Sequence, residues 1–357
     1  MSLHFYGIKV KEIRRETNDC VSVALDIPEE LQSAFQYKQG QNVTLKTNIN
    51  GEEVRRSYSL CSSPLSKEFR IAIKKVEGGL FSTYANEQLQ VGDQLDVMPP
   101  VGKFYTELAT ANRKNYIAIA SGSGITPILS IITTTLLTEP NSHFTLVYGN
   151  RNRASIIFKE ALEALKNKFL NRFQLLHILS REKMDAEINF GRINAAKCEY
   201  LFAKNLNLNA DEFFICGPEE MIFSVKDFLE TKGIDTNKIH FELFAATKPK
   251  SQTVNQIAAT DNVPKSNITI KVDGRSFDFD LPFNGTNILD AALAQGADLP
   301  YACKGGVCCT CKAKLLQGNV DMEVCWGLEH EEIEQGFILT CQAHPTTEKV
   351  VVDFDIK

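Results

Sequence analysis

Over the first hundred residues apolar and polar positions alternate with period two, which marks strands with one covered face. In Phe69–Lys74, Phe69, Ile71 and Ile73 fall on one side and Arg70, Ala72 and Lys74 on the other. Similar short runs span 21–27, 42–47 and 94–98, the last after a Gly92-Asp93 turn. Many short strands with turn residues between them predict an antiparallel barrel or sandwich over residues 1–110.

The rhythm then changes. Apolar strands at 116–120, 144–148, 173–179 and 212–216 alternate with amphipathic helices, one of which carries Phe158, Leu162, Leu165 and Phe169. Alternating strands and helices predict a parallel, doubly wound α/β domain over 111–245. Residues 115–138 carry no charge and are long enough to span a bilayer. Ser121-Gly-Ser-Gly-Ile-Thr-Pro127 interrupts them, so they read as a buried strand, a glycine turn and a buried helix. Residues 246–266 have little apolar periodicity and two prolines, and read as a linker. Beyond it a hairpin turning at Asp273-Gly274 and a helix at 287–295 open a third domain, 267–357.

Charge is unevenly spread. The chain carries a net −5, but residues 267–357 hold 14 acids and 7 bases, leaving 30 acids and 32 bases for the rest. Without a basic face, a nucleic-acid partner is disfavoured. Six of the ten cysteines lie from Cys303 to Cys341. Met1-Ser-Leu-His-Phe-Tyr-Gly7 has no apolar leader segment, so a reducing cytoplasm is the expected location. There, clustered cysteines point to metal or redox chemistry.

Cys303-x4-Cys308-x2-Cys311, closed by Cys341 after 29 intervening residues, is the plant-type [2Fe–2S] spacing. Gly305 and Gly306 let the loop fold closely over inorganic sulfide. A structural zinc site is the alternative, but it usually pairs two short knuckles, and here the fourth cysteine stands alone. Cys309 and Cys325 read as packed bystanders.

Further motifs point to dinucleotides. Arg56-Ser57-Tyr58-Ser59 on a barrel strand, followed by Gly78-Gly79-Leu80-Phe81-Ser82-Thr83 opening a helix, offers a cation, an aromatic face and a phosphate cradle for a flavin dinucleotide. Gly122-Ser123-Gly124-Ile125-Thr126-Pro127 directly follows a strand, with Thr126 predicted as helix N-cap and Pro127 as the first helical residue. Cys216-Gly217-Pro218 ends another strand, a credible neighbour of nicotinamide. Ser180-Arg181 ends a third and offers a hydroxyl and a guanidinium to a ribose 2′-phosphate, so NADPH is expected over NADH. Glu182 is the dissenting residue, since an acid there takes a ribose hydroxyl if turned inward.

Together these motifs resemble the ferredoxin–NADP reductase superfamily, and the trailing cluster resembles its oxygenase-reductase branch. The resemblance implies an FAD barrel, a nicotinamide domain and a β-grasp-like ferredoxin domain. It implies that Arg56 binds flavin phosphate, Tyr58 stacks on the isoalloxazine, Ser59 bonds near N5, and Gly79 to Ser82 hold the pyrophosphate. It places Thr126 where flavin meets nicotinamide and Phe244 beside the flavin. Hydride from NAD(P)H would pass to FAD, then single electrons to the cluster and on to an oxygenase, here one acting on a CoA thioester. The cofactors carry that chemistry, so no catalytic acid, base or nucleophile is required. No membrane partner is implied. The acids Glu323, Glu329, Glu331, Glu332 and Glu334 read either as a solvated helix face or as a docking surface for a basic patch.

Overall fold

The computed structural model describes residues 4–184, 186–244, 264–283 and 285–356. Phe5–Leu243 forms one compact unit and the chain from Phe244 onward another.

The first unit begins with β1 (Tyr6–Thr17), β2 (Cys20–Asp26), β3 (Asn42–Ile49), β4 (Glu52–Ser59), β5 (Phe69–Lys74), α1 (Leu80–Glu87) and β6 (Gln94–Val97). These strands pair antiparallel in the order β4-β3-β6-β1-β2-β5. Past β4 the chain returns to β5, where the Cys61 N–H donates to the Arg70 carbonyl at 2.8 Å and closes the barrel. Ile8, Val43, Leu45, Leu60, Ile71 and Ile73 fill its interior, and α1 packs on it through Phe81 and Ala85.

Alternation in β5 predicts an outward Arg70, yet Arg70 is only 4% exposed. Its guanidinium donates to Glu68, to Glu12 and to Ser22 Oγ, the last at 2.9 Å. Opposite charges and a saturated donor fork are what permit a cation there. Both faces of β5 are therefore covered.

The unit continues with β7 (Asn115–Ser121), α2 (Ile125–Thr138), β8 (His143–Asn150), α3 (Lys159–Lys168), β9 (Phe173–Leu179), α4 (Ala195–Lys204), β10 (Glu212–Cys216), α5 (Glu219–Thr231) and β11 (Ile239–Glu242). The sheet is wholly parallel, in the order β11-β10-β7-β8-β9. The chain winds outward from β7 through β9, then returns to the other side of β7 for β10. That reversal opens a crevice at the carboxyl ends of β7 and β10, the usual ligand position in such sheets.

One capping expectation is corrected. Residues 122–124 form a turn of 3₁₀ helix that runs straight into α2, so Thr126 lies inside the first turn rather than at the N-cap. Its hydroxyl donates to the Ser123 carbonyl at 3.0 Å instead of accepting from the helix. Pro127 is the third helical residue rather than the first, and it is still tolerated because the first-turn N–H groups of an α-helix have no intrahelical acceptor.

The second unit holds β12 (Lys265–Val272), β13 (Arg275–Pro282), α6 (Ile288–Ala294), β14 (Lys312–Gln317), β15 (Val320–Met322), α7 (His330–Glu334), β16 (Phe337–Leu339), β17 (Ala343–Pro345) and β18 (Lys349–Asp353). Its mixed sheet runs β13-β12-β18-β14-β16, with β12 and β18 parallel. Ile268, Ile270, Leu289, Val350 and Val352 form the core under α6. At the β12–β13 turn Asp273 and Gly274 both take left-handed φ, 50° and 70°, as a tight hairpin requires. The predicted linker falls largely outside the described residues, and its end is corrected: Lys265 and Ser266 already pair with Pro282 and Leu281. Among the described residues no helix is long and apolar enough to cross a membrane.

Candidate cofactor sites

On β4 the side chains of Arg56 and Tyr58 share a face, because strand residues two apart point the same way. Arg56 is exposed, with its guanidinium donating to the Arg55 carbonyl at 2.7 Å. The Tyr58 ring lies 5.5 Å from that of Phe81 in α1, so the strand carrying the cation and the helix start form one surface. Gly79 begins α1, and an added Cβ there would lie 2.6 Å from Ser82 Oγ. Ser82 Oγ accepts from the Val76 N–H at 3.1 Å and donates to the Gly79 carbonyl at 3.2 Å. The hydroxyl thus holds the turn, while the first-turn N–H groups of Leu80, Phe81 and Ser82 are left for an anion. A cation, an aromatic face and a side-chain-free helix start fit a flavin pyrophosphate.

Ser59 points to the opposite face of β4 from Tyr58. Its hydroxyl donates to Glu242 Oε2 at 3.0 Å, joining the barrel to the last parallel strand. Glu242 pairs along the sheet with Cys216, and its charge adds to burial in pushing the Cys216 thiol well up. Burial lifts the Glu242 carboxyl from 4.5 to about 7, against opposing hydrogen bonds from Ser59 and Asn42. Sequence reasoning missed Glu242; the signal was an acid at a strand end inside the apolar run Phe241-Glu-Leu-Phe244.

Gly124 explains why the β7 and β10 ends meet. A Cβ there would lie 2.1 Å from the Cys216 carbonyl oxygen, and one on Gly217 would lie 3.1 Å from Ser121 Cβ. Only glycines allow the two turns to touch, and Pro218 follows at the N-cap of α5. Gly122 takes φ 54°, and Tyr148 donates to its carbonyl at 2.9 Å. Lys74 Nζ comes within 3.9 Å of where a Gly122 Cβ would stand, a cation over the glycine turn that sequence reasoning also missed.

At the neighbouring strand ends, the Ser180 and Arg181 N–H groups donate to the Asn150 and Arg151 carbonyls at 2.9 and 2.8 Å. Glu182 accepts from the Arg153 N–H at 2.8 Å, and its other oxygen lies 3.3 Å from the Arg153 guanidinium. The dissenting acid is therefore engaged by Arg153, while Arg181 stays exposed. Phe244 begins the other unit, with 41% of its surface exposed.

In the second unit the cysteines come as two pairs. Cys308 donates to Cys303 Sγ at 3.1 Å, and the neighbouring Cys341, with burial, pushes the Cys311 thiol well up. Gly305 N–H donates to Cys303 Sγ at 3.3 Å, and Gln342 Nε2 to Cys341 Sγ at 3.8 Å. Hydrogen bonds from Cys308 and the loop backbone pull the Cys303 thiol down to about 6. Thr340 Oγ1 donates to the Cys311 carbonyl at 3.0 Å, seating Cys341 beside the loop. Gly306, at φ 72°, lies so close to Val324 that a Cβ would be 2.6 Å from its carbonyl oxygen. Among the described residues no three His, Cys, Asp or Glu side chains converge on a point for one metal ion. Two thiol pairs with backbone N–H groups aimed at sulfur fit a two-iron cluster, which Cys303, Cys308, Cys311 and Cys341 would hold.

Comparison with known proteins agrees with this geometry. Residues 7–105 match the oxidoreductase FAD-binding domain family, 118–227 the oxidoreductase NAD-binding domain, and 270–346 the 2Fe-2S iron-sulfur cluster binding domain. The chain is 45% identical to one of the subunits of 1,2-phenylacetyl-CoA epoxidase from Escherichia coli, across 99% of this chain and 98% of that one. It is 31% identical to the ferredoxin reductase component of 3-ketosteroid-9-alpha-monooxygenase from Rhodococcus rhodochrous, across 97% and 96%. The fold is that of phthalate dioxygenase reductase, with a TM-score of 0.58 over 98% of both chains at 23% identity.

Proposed function

Because the chain belongs to the flavin and iron–sulfur oxygenase reductases of the ferredoxin–NADP reductase superfamily, we propose that its electrons serve the oxygenase of a phenylacetyl-CoA epoxidase. It is an oxidoreductase with FAD-binding, NAD-binding and [2Fe–2S] domains. Bound FAD and cluster supply the passage from a two-electron hydride to single electrons.

The rest falls to side chains and backbone. Arg56 and the first-turn N–H groups of α1 hold the flavin pyrophosphate, with Tyr58 stacking on the ring. Ser59, Glu242, Thr126 and Cys216 line the place where nicotinamide meets flavin. Gly122, Gly124, Gly217 and Pro218 keep that crevice open to the dinucleotide, under the Lys74 ammonium. Ser180 and Arg181 receive a 2′-phosphate, because Arg153 keeps Glu182 from competing for the ribose; NADPH is the preferred donor. Cys303, Cys308, Cys311 and Cys341 hold the cluster. The functional domains are 1–110, 111–245 and, from the first residue of β12, 265–357.

The observation that carries this reading is the 45% identity over nearly the whole of both chains, well above the 31% shared with the steroid monooxygenase reductase. Reconstitution tests it. Mixed with the remaining subunits of the E. coli epoxidase, the holoprotein should couple NADPH oxidation to loss of phenylacetyl-CoA. NADPH oxidation with no such loss would overturn it.

A further inference from the structure

The chain has one tryptophan, and nearly half of it, 48%, is open to solvent. Trp326 sits at the corner of a tight turn that the Leu328 N–H closes onto the Cys325 carbonyl at 3.0 Å. That turn is fixed to the loop bearing the cysteines. The Gly327 N–H donates to the Gly306 carbonyl at 2.9 Å. A Cβ on Gly327 would lie 2.7 Å from the Cys308 carbonyl oxygen, so backbone rests on backbone there. Leu328 anchors the far side of the turn in the core of the unit. The backbone that carries an exposed indole is thereby held against the cluster loop.

The segment that carries it is acidic in sequence. Residues 317–337 contain six acids and neither lysine nor arginine. Glu332 is buried against Lys312, and Glu323 and Glu334 lie near His344 and His330. Glu329 and Glu331 are exposed, and Ile333 adds a second exposed apolar side chain. A rigid aromatic anchor inside a charged rim is the composition of an interface hot spot.

We propose that the Cys325–Leu328 turn is the face through which electrons leave, and that it docks on the oxygenase component with Trp326 filling an apolar pocket ringed by lysine and arginine. The proposal rests on the functional reading above. A turn already held in place lowers the entropy cost of docking, and the acidic segment speeds encounter with a basic partner. Docking at this turn brings the acceptor to within a backbone's thickness of Cys308.

The test uses full-length holoprotein carrying 5-fluorotryptophan, whose one ¹⁹F resonance reports Trp326 alone. Adding the remaining subunits of the E. coli epoxidase should shift or broaden it, while serum albumin should not. Trp326→Ala should weaken that binding at least tenfold and Trp326→Phe much less, with the cluster spectrum and NADPH–ferricyanide activity unchanged. An unmoved resonance, or Trp326→Ala binding like the parent, overturns the proposal. Slowed cluster reduction by NADPH in Trp326→Ala also overturns it, since the indole would then face the flavin domain. A parent chain unable to reduce that oxygenase counts instead against the functional reading.

Discussion

The hydroxyl of Ser59 donates to Glu242 Oε2 at 3.0 Å across 183 positions of sequence, tying the barrel to the last strand of the parallel sheet. The carboxyl so held titrates near 7 rather than 4.5, because burial outweighs the hydrogen bonds from Ser59 and Asn42. A raised folded pKa means that the group's contribution to stability is complete below its unfolded value. It is lost as pH rises through the folded value, from about 4.5 to about 7. Glu242→Gln removes that loss. The Tm of the variant relative to the parent should rise between pH 5 and pH 8, and a pH-independent difference would count against a buried, titrating Glu242.

Gly124→Ala places a methyl 2.1 Å from the Cys216 carbonyl oxygen, and backbone on both sides leaves little room to yield. Overpacking of this kind costs about 1–3 kcal/mol. The variant should keep its flavin but lose NADPH-driven flavin reduction at least tenfold, as followed by stopped-flow absorbance. Reduction at the parent's rate would mean that the crevice lies elsewhere.

In the proposed function, nicotinamide preference turns on Arg181 and on the Arg153–Glu182 contact. Arg181→Ala should raise KM for NADPH with little change for NADH, by the about 1.5–3 kcal/mol of a lost hydrogen bond to a charged group. Arg153→Ala frees Glu182 and should improve NADH relative to NADPH. Steady-state kinetics with both nucleotides decides, and equal weakening of both would assign Arg181 a structural role.

Much of this was legible in sequence because it is local. The period-two runs, the βα rhythm and the Cys303–Cys311 spacing each concern residues within one element or loop. What escaped depends on distant partners. Arg70 reads as outward until Glu12, 58 positions away, is seen to receive it. Glu242 and Lys74 reach the site only through the packing of β4 and β5 against the parallel sheet. Thr126 reads as a cap because Ser/Thr before an apolar run usually is one, whereas Gly122–Gly124 had already begun the helical turn.

Replacing one of the proposed cluster ligands separates the two halves of the electron path. Cys308→Ser should contain FAD but no [2Fe–2S] absorbance, keep its NADPH–ferricyanide activity, and fail to reduce an oxygenase. Loss of both activities would show that hydride acceptance depends on the cluster-bearing unit.

Electrons pass from nicotinamide to flavin to cluster in that order. An anaerobic stopped-flow mix of holoprotein with one equivalent of NADPH tests it most directly, followed at flavin and cluster wavelengths. Flavin bleaching should come first, at the same rate in Cys308→Ser, with cluster bleaching after it and only in the parent. Cluster bleaching that precedes or proceeds without flavin bleaching would contradict the account.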